Sequence, residues 1–244
     1  MNVGEAIAVT AAGFAAGGVN TIVGSGSLIT FPTLLAVGYQ PVVANVSNTV
    51  GLVPGGVSGV IGYRRELSGQ ARRAAILGCG TTAGALLGGI LLLTLPSEVF
   101  DAIVPALILL ACALMAFKRT PAAHADVERT GRGTAAAFFT GIYGGYFGAA
   151  QGIILMSLLR FCFPDDLQRL NGLKNVLAGV ANAVAAILFI AVANVAWEAA
   201  ALIAAGSIVG AQVGARYGRA IPSEVLRWVV VVGGTIVAVI LILT

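Results

Sequence analysis

The chain of 244 residues is 58% hydrophobic and only 10% charged, with net charge +4 and mean hydropathy +0.97. A soluble domain carries about 25% charged residues, so a soluble fold is excluded. Continuous apolar runs, rather than alternation every second residue, exclude a β-barrel and predict an all-α polytopic membrane protein.

In chain order, the first feature is an interrupted hairpin. The N-terminus lacks the positively charged region of a cleavable leader. Residues 17–38 read GGVNTIVGSGSLITFPTLLAVG, in which Gly24-Ser25-Gly26-Ser27 falls inside an apolar stretch. Glycine disfavours a helix interior by about 1 kcal/mol relative to alanine, and small hydroxyls compete for backbone partners. Residues 1–39 are therefore predicted to form a broken hairpin. Three spans follow over 42–63, 74–95 and 99–117. The polar segment KRTPAAHADVERTGR at 118–132 is a linker. A second glycine-interrupted hairpin lies within 133–165, reading GIYGGYFGAAQGIILMSLL from residue 141. Spans over 170–194, 199–215 and 223–243 complete the chain. Each hairpin is either two short spans or two re-entrant half-helices, and the sequence leaves both open.

The two stretches 80–100 and 206–226 share eight identities in 21 positions at an offset of 126, including the run Pro-Ser-Glu-Val. Chance gives about two at ordinary residue frequencies. The chain reads as a duplication, 1–117 and 133–244. Its cations orient the copies. All 14 Lys and Arg residues lie in or beside the 64–73 loop, the linker, and the segments around 160–174 and 216–227; the 94–98 and 194–198 loops have none. Placing the cationic side in the cytoplasm puts equivalent loops of the two copies on opposite faces, so the repeats are inverted, with both termini outside a cytoplasmic membrane. In that frame the basic balance reports topology, and no nucleic-acid partner is implied.

Paired glycine-interrupted segments at matching positions of inverted repeats point to a transporter's binding site. Unwound backbone is tolerated at membrane depth where it lines a cavity or is buried in protein. Half-helix N-termini there offer free N–H groups to an anion. The candidate substrate-binding set is Asn20, Gly24, Ser25, Gly26 and Ser27 from the first hairpin, and Gly148 and Gln151 from the second. The helices that follow supply Asn45, Ser47 and Asn48 (ANVSNTV) and Asn171, Lys174 and Asn175 (LNGLKNV). Neutral amides with one cation suit a small oxyanion that is held and then released. Single Asn and Ser residues also serve as bonds between helices, and Lys174 also reads as an interfacial cation; the case rests on repetition in both copies. Glycines spaced four apart (Gly80, Gly84, Gly88; Gly206, Gly210, Gly214) read as helix packing.

Other chemistries lack their residues. Cys79, Cys112 and Cys162 are isolated and read as core residues, without a disulfide or metal site. The lone His124 sits in the linker, so no serine–histidine pair is available to Ser25 or Ser27. No Gly-Lys-Ser/Thr follows GSGS, which excludes a P-loop. No cofactor and no metal are expected.

The glycine-rich first hairpin running into PTLLAVGYQPVVANVSNTV, the Arg-containing loop after the next span, and GALLGG and GAQVGA resemble the sulfite exporter family called TauE/SafE. The likeness covers nearly the whole chain. It implies export of a small sulfur-containing anion such as sulfite or an organosulfonate. The reading is a secondary transporter, not an enzyme, working by alternating access around a midplane site. H⁺ or Na⁺ is the candidate coupling ion, and a homo-oligomer is compatible with the sequence. An anion channel with the hairpins as its filter is the alternative; an intramembrane enzyme is the remote one.

Overall fold

The computed structural model describes residues 1–116 and 127–218, with positions 231, 232, 235 and 239 beyond them. The rest of the expected last span at 223–243, the second Pro-Ser-Glu-Val run, and His124 with most of the linker lie outside the described residues. Nine helices run through the described part: α1 (Val3–Ile22), α2 (Ser27–Ala36), α3 (Pro41–Gly62), α4 (Ala71–Thr94), α5 (Ser97–Ala116), α6 (Thr130–Tyr146), α7 (Gln151–Cys162), α8 (Leu167–Val192) and α9 (Trp197–Tyr217). Their starts are written in the sequence. Asn2 and Glu5 form a reciprocal cap on α1, each side chain accepting the other's backbone N–H at 2.8 Å. Pro41 opens α3, and Asp166 accepts the N–H groups of Gln168 and Arg169 to open α8.

Helices α4, α8 and α9, at 24, 26 and 21 residues, are long and apolar enough to cross a membrane. At 1.5 Å per residue they reach about 32–39 Å, against a hydrocarbon core of about 30 Å. Helices α2 and α7 have only 10 and 12 residues, about 15–18 Å. Each hairpin is thus one long helix and one short one, an arrangement between the two the sequence left open.

The bundle is apolar on its outer face and holds a set of polar side chains within its otherwise apolar core. Ile7, Phe14, Leu86, Ile90, Phe139, Ile187 and Val209 point outward, while Asn45, Asn48, Asn171 and Lys174 are buried. Water would penalise that arrangement and hydrocarbon favours it. Cys112 and Cys162 are buried as expected, but Cys79 is exposed on the outer face of α4. An outward-facing membrane position is as apolar as a core one, so composition does not distinguish them.

The glycines spaced four apart behave as packing surfaces. Gly80, Gly84 and Gly88 of α4 lie against the backbone of α6 at Thr134, Phe138 and Ile142. Gly206, Gly210 and Gly214 of α9 lie against α1 at Thr10, Phe14 and Gly18. Without side chains the axes approach closely and dispersion contacts accumulate. Helix α3 packs on α9 and α8, and α8 also packs on α4.

An ionic cluster fastens one end. Asp165 binds Arg73 at 2.5 Å and Arg169 at 3.1 Å, Arg73 also binds Glu128 at 3.0 Å, and its guanidinium lies 4.5 Å from the centre of the Phe163 ring. Hydrogen bonding from Arg73 holds the Glu128 carboxyl below the usual carboxylate range. The start of α4, the segment before α6 and the α7–α8 turn are thereby joined.

Candidate substrate site

The site is built where two helices stop. Helix α1 ends at Ile22, and Gly24 takes φ +89; α6 ends at Tyr146, and Gly148 takes φ +74. Both values lie where L-residues with a Cβ are strained, so glycine is the residue that lets the chain turn. Ala150, just before α7, has φ 59 without that freedom, a strain of about 1–2 kcal/mol. The two breaks touch. The Gly152 N–H donates to the Gly24 carbonyl at 3.0 Å, and a Cβ on either residue would collide with the other's backbone.

Two residues flank this contact with unpartnered polar atoms. Ser25 is 1% exposed and its Oγ has no partner; Gln151 is 3% exposed and its Nε2 has none. The Gln151 amide lies over Gly144, where a Cβ would displace it. A buried polar group left unpaired costs about 1–3 kcal/mol, so each is a place where a ligand or water is expected.

Helix α8 closes the end of α1. The last four carbonyls of a helix lack intrahelical donors, and here side chains from α8 reach two of them. Lys174 Nζ donates to the Asn20 and Thr21 carbonyls at 3.2 and 3.3 Å, while Asn171 and Asn175 donate their amides to Thr21 at 3.3 and 3.1 Å. The lysine is 1% exposed. Its charge meets the negative end of the α1 dipole, which makes a buried ammonium tolerable there. A carbonyl has two lone pairs, so three donors on Thr21 are more than it can satisfy at once. The surplus is of donors, which is what an oxyanion needs.

Helix α3 treats the end of α6 in a similar way with neutral groups only. Asn45 Nδ2 donates to the Tyr146 carbonyl at 2.9 Å, leaving Asn45 Oδ1 without a partner, as Asn171 Oδ1 is. Asn48 Oδ1 accepts from the Thr30 hydroxyl of α2.

The structure does not gather every expected residue in one role. Asn20 contributes its backbone carbonyl. Gly26 is the N-cap of α2 and lies against α1 at Ala16 and Asn20. Ser27 begins α2 and is half-buried. Ser47 turns away from its neighbours and accepts the Ala196 N–H at 2.8 Å, ahead of α9. Thr21, Thr30 and Tyr146 were missed. Two of them act through backbone carbonyls, which no side-chain pattern announces. Among the described residues no three His, Cys, Asp or Glu side chains gather as a metal site.

A family model, sulfite exporter TauE/SafE, matches residues 9–241. The chain belongs to this family. Among curated relatives it is 28% identical over 214 residues to a probable membrane transporter protein of Haemophilus influenzae, covering 84% of this chain and 81% of that one. It is 26% identical over 227 residues to the probable membrane transporter protein ORF9 of a Sinorhizobium species, covering 91% and 86%. It is 26% identical over 227 residues to the probable membrane transporter protein YfcA of Escherichia coli strain K12, covering 89% and 82%. No solved structure matches the chain. The TauE/SafE assignment spans both helix breaks and the helices that cap them.

Proposed function

We propose that this TauE/SafE chain is a secondary transporter of the cytoplasmic membrane that exports a small sulfur-containing anion, sulfite or an organosulfonate, by alternating access. The observation that carries the reading is a buried lysine, held with two amides on the end of one broken helix, whose break bonds directly to that of another. A cation inside a membrane bundle is costly and is by default functional. The breaks that follow the two helices hold unpartnered, buried polar groups at Ser25 and Gln151. An oxyanion offers acceptors to those groups and a charge to Lys174.

The proposed architecture is two inverted repeats, 1–117 and 133–244, joined by a cytoplasmic linker at 118–132. It is supported by reciprocal packing, since α1 lies along α9 as α6 lies along α4, and by Asn45 and Asn171 each binding the end of the other half's long helix. Neutral amides and long hydrogen bonds hold an anion weakly enough to release it, which suits turnover.

The test is a thermal-stabilisation screen of the purified protein against sulfite, sulfate, sulfonates, carboxylates and phosphate, followed by flux in proteoliposomes. Selective stabilisation by sulfite or a sulfonate, with saturable flux of the same anion, is expected. Stabilisation by carboxylate or phosphate alone would overturn the substrate class. Single-channel currents would overturn the carrier mechanism.

A further inference from the structure

The ends of α1 and α6 are treated alike in all but charge. In each, one carbonyl of the last turn takes two backbone donors: Val19 from Val23 and Gly24, Tyr143 from Phe147 and Gly148. In each, an asparagine near the start of a following helix donates its amide to a later carbonyl, Asn171 to Thr21 and Asn45 to Tyr146. Three residues beyond that asparagine the halves diverge. On α8 the residue is Lys174, which gives the α1 end a covalent cation. On α3 it is Asn48, whose oxygen is already occupied by Thr30. The recorded donors at the α6 end are all neutral.

A helix end carries about half a negative charge, and burial in a membrane bundle strengthens its field. The α1 end is neutralised by Lys174. The α6 end is not, and the residue that reaches it presents a spare acceptor: Asn45 is 1% exposed, and its Oδ1 has no partner. The nitrogen of the same amide is bound to the Tyr146 carbonyl in the final α6 turn, whose carbonyls lack intrahelical donors, though that of Tyr143 is taken by Phe147 and Gly148. An amide oxygen and helix-end carbonyls are hard, neutral ligands.

We propose that the end of α6 binds an alkali cation of sodium size, with Asn45 Oδ1 and the last-turn carbonyls of α6, that of Tyr146 among them, as its ligands. One half carries its cation covalently and the other takes it from solution. The set has no carboxylate, so it suits a monovalent ion over a divalent one. The consequence for transport, that sodium is the coupling ion, rests on the transporter reading; the binding itself does not.

The purified full chain is equilibrated in choline chloride and titrated with sodium chloride at constant ionic strength. Both melting temperature and binding of radioactive sodium are read. Saturable sodium binding with a rise in melting temperature is expected for the wild type. Asn45→Ala should weaken sodium binding at least tenfold. Asn48→Lys places an ammonium where α8 has one, and should remove the sodium response. Asn171→Ala, on the other half, should keep sodium affinity within about twofold. Absence of saturable sodium binding in the wild type overturns the site, as does unchanged affinity in Asn45→Ala. If Asn45→Ala does not fold, a sodium response retained by Asn48→Lys overturns it instead. Anion stabilisation measured in choline is scored separately. Anion binding with no sodium binding removes this site and leaves the transporter; sodium binding with no anion response does the reverse.

Discussion

Gly24→Ala should be much more damaging than Gly38→Ala, although both glycines have strongly positive φ, +89 and +99. At Gly38 an added Cβ would meet nothing within 4 Å. Its replacement therefore costs only the backbone strain of a left-handed alanine, about 1–2 kcal/mol. At Gly24 the same strain applies, and the Cβ would also run into the backbone of Gly152. Forcing the two breaks apart adds about 1–3 kcal/mol of overpacking and the loss of one hydrogen bond, about 0.5–1.5 kcal/mol. The sum for Gly24→Ala is roughly 3–6 kcal/mol. The difference between the variants isolates the contact between the breaks. Equilibrium unfolding in mixed detergent micelles, followed by circular dichroism, measures both. Equal losses would refute the argument, because they would mean that the Gly24–Gly152 approach contributes nothing beyond local strain.

Four further outcomes follow from individual residues. Lys174→Gln removes the charge on the α1 end and should lower stability by about 1–3 kcal/mol, and weaken anion affinity tenfold or more; a stability loss with unchanged affinity would leave Lys174 as a helix cap only. Asp165→Asn breaks both of its arginine pairs and should cost about 2–3 kcal/mol at neutral pH. Because Arg73 depresses the Glu128 pKa in the folded protein, the contribution of Glu128 is present at neutral pH and is lost as pH falls through that lowered value; a pH series of melting temperatures on wild type and Glu128→Gln checks it. A cysteine replacing exposed Arg72, in a Cys-free background, should be labelled only from the cytoplasmic side, and labelling from outside would invert the proposed topology.

The spans were legible because about 20 apolar residues leave a chain few options in a membrane. The stretch expected at 74–95 is Ala71–Thr94, and that at 170–194 is Leu167–Val192. The breaks were legible too, but less finely. Of the glycines in the two interrupted stretches, Gly17, Gly18, Gly144 and Gly145 lie within continuous helix and face close neighbours, while Gly24 and Gly148 make the turns. Glycine's missing Cβ serves close approach and unusual φ equally, and only the partner's position decides which. Asn45, Asn171, Lys174 and Asn175 stand out in the sequence because polar side chains are conspicuous in apolar surroundings. Their partners at Tyr146, Asn20 and Thr21 are backbone carbonyls, which every residue possesses.

Packing also bears on what moves. Alternating access is commonly pictured as one repeat rocking against the other, but the helices are not grouped by repeat. Helices α1, α3 and α9 pack on one another, and α4, α6 and α8 do the same, so each body borrows one long helix from the other half of the sequence. The glycine stripes inside each body bring backbones into contact and would resist sliding. Between the bodies stand α3 against α8, the Gly152–Gly24 hydrogen bond at 3.0 Å, the bonds of Asn171, Lys174 and Asn175 to the end of α1, and that of Asn45 to the end of α6. A motion that exposes the site to alternate sides should therefore shear α3 over α8 and leave the stripes intact. Gly56 lies against Gly179 across that seam, a Cβ on Gly56 lying 3.6 Å from the Gly179 Cα, which makes the pair a site for a cross-link between introduced cysteines. Oxidising the Gly56→Cys, Gly179→Cys pair in a Cys-free background should stop flux while retaining anion-induced stabilisation, and reduction should restore flux. Undiminished flux with the bridge formed would mean that α3 and α8 travel together and that the moving seam lies elsewhere.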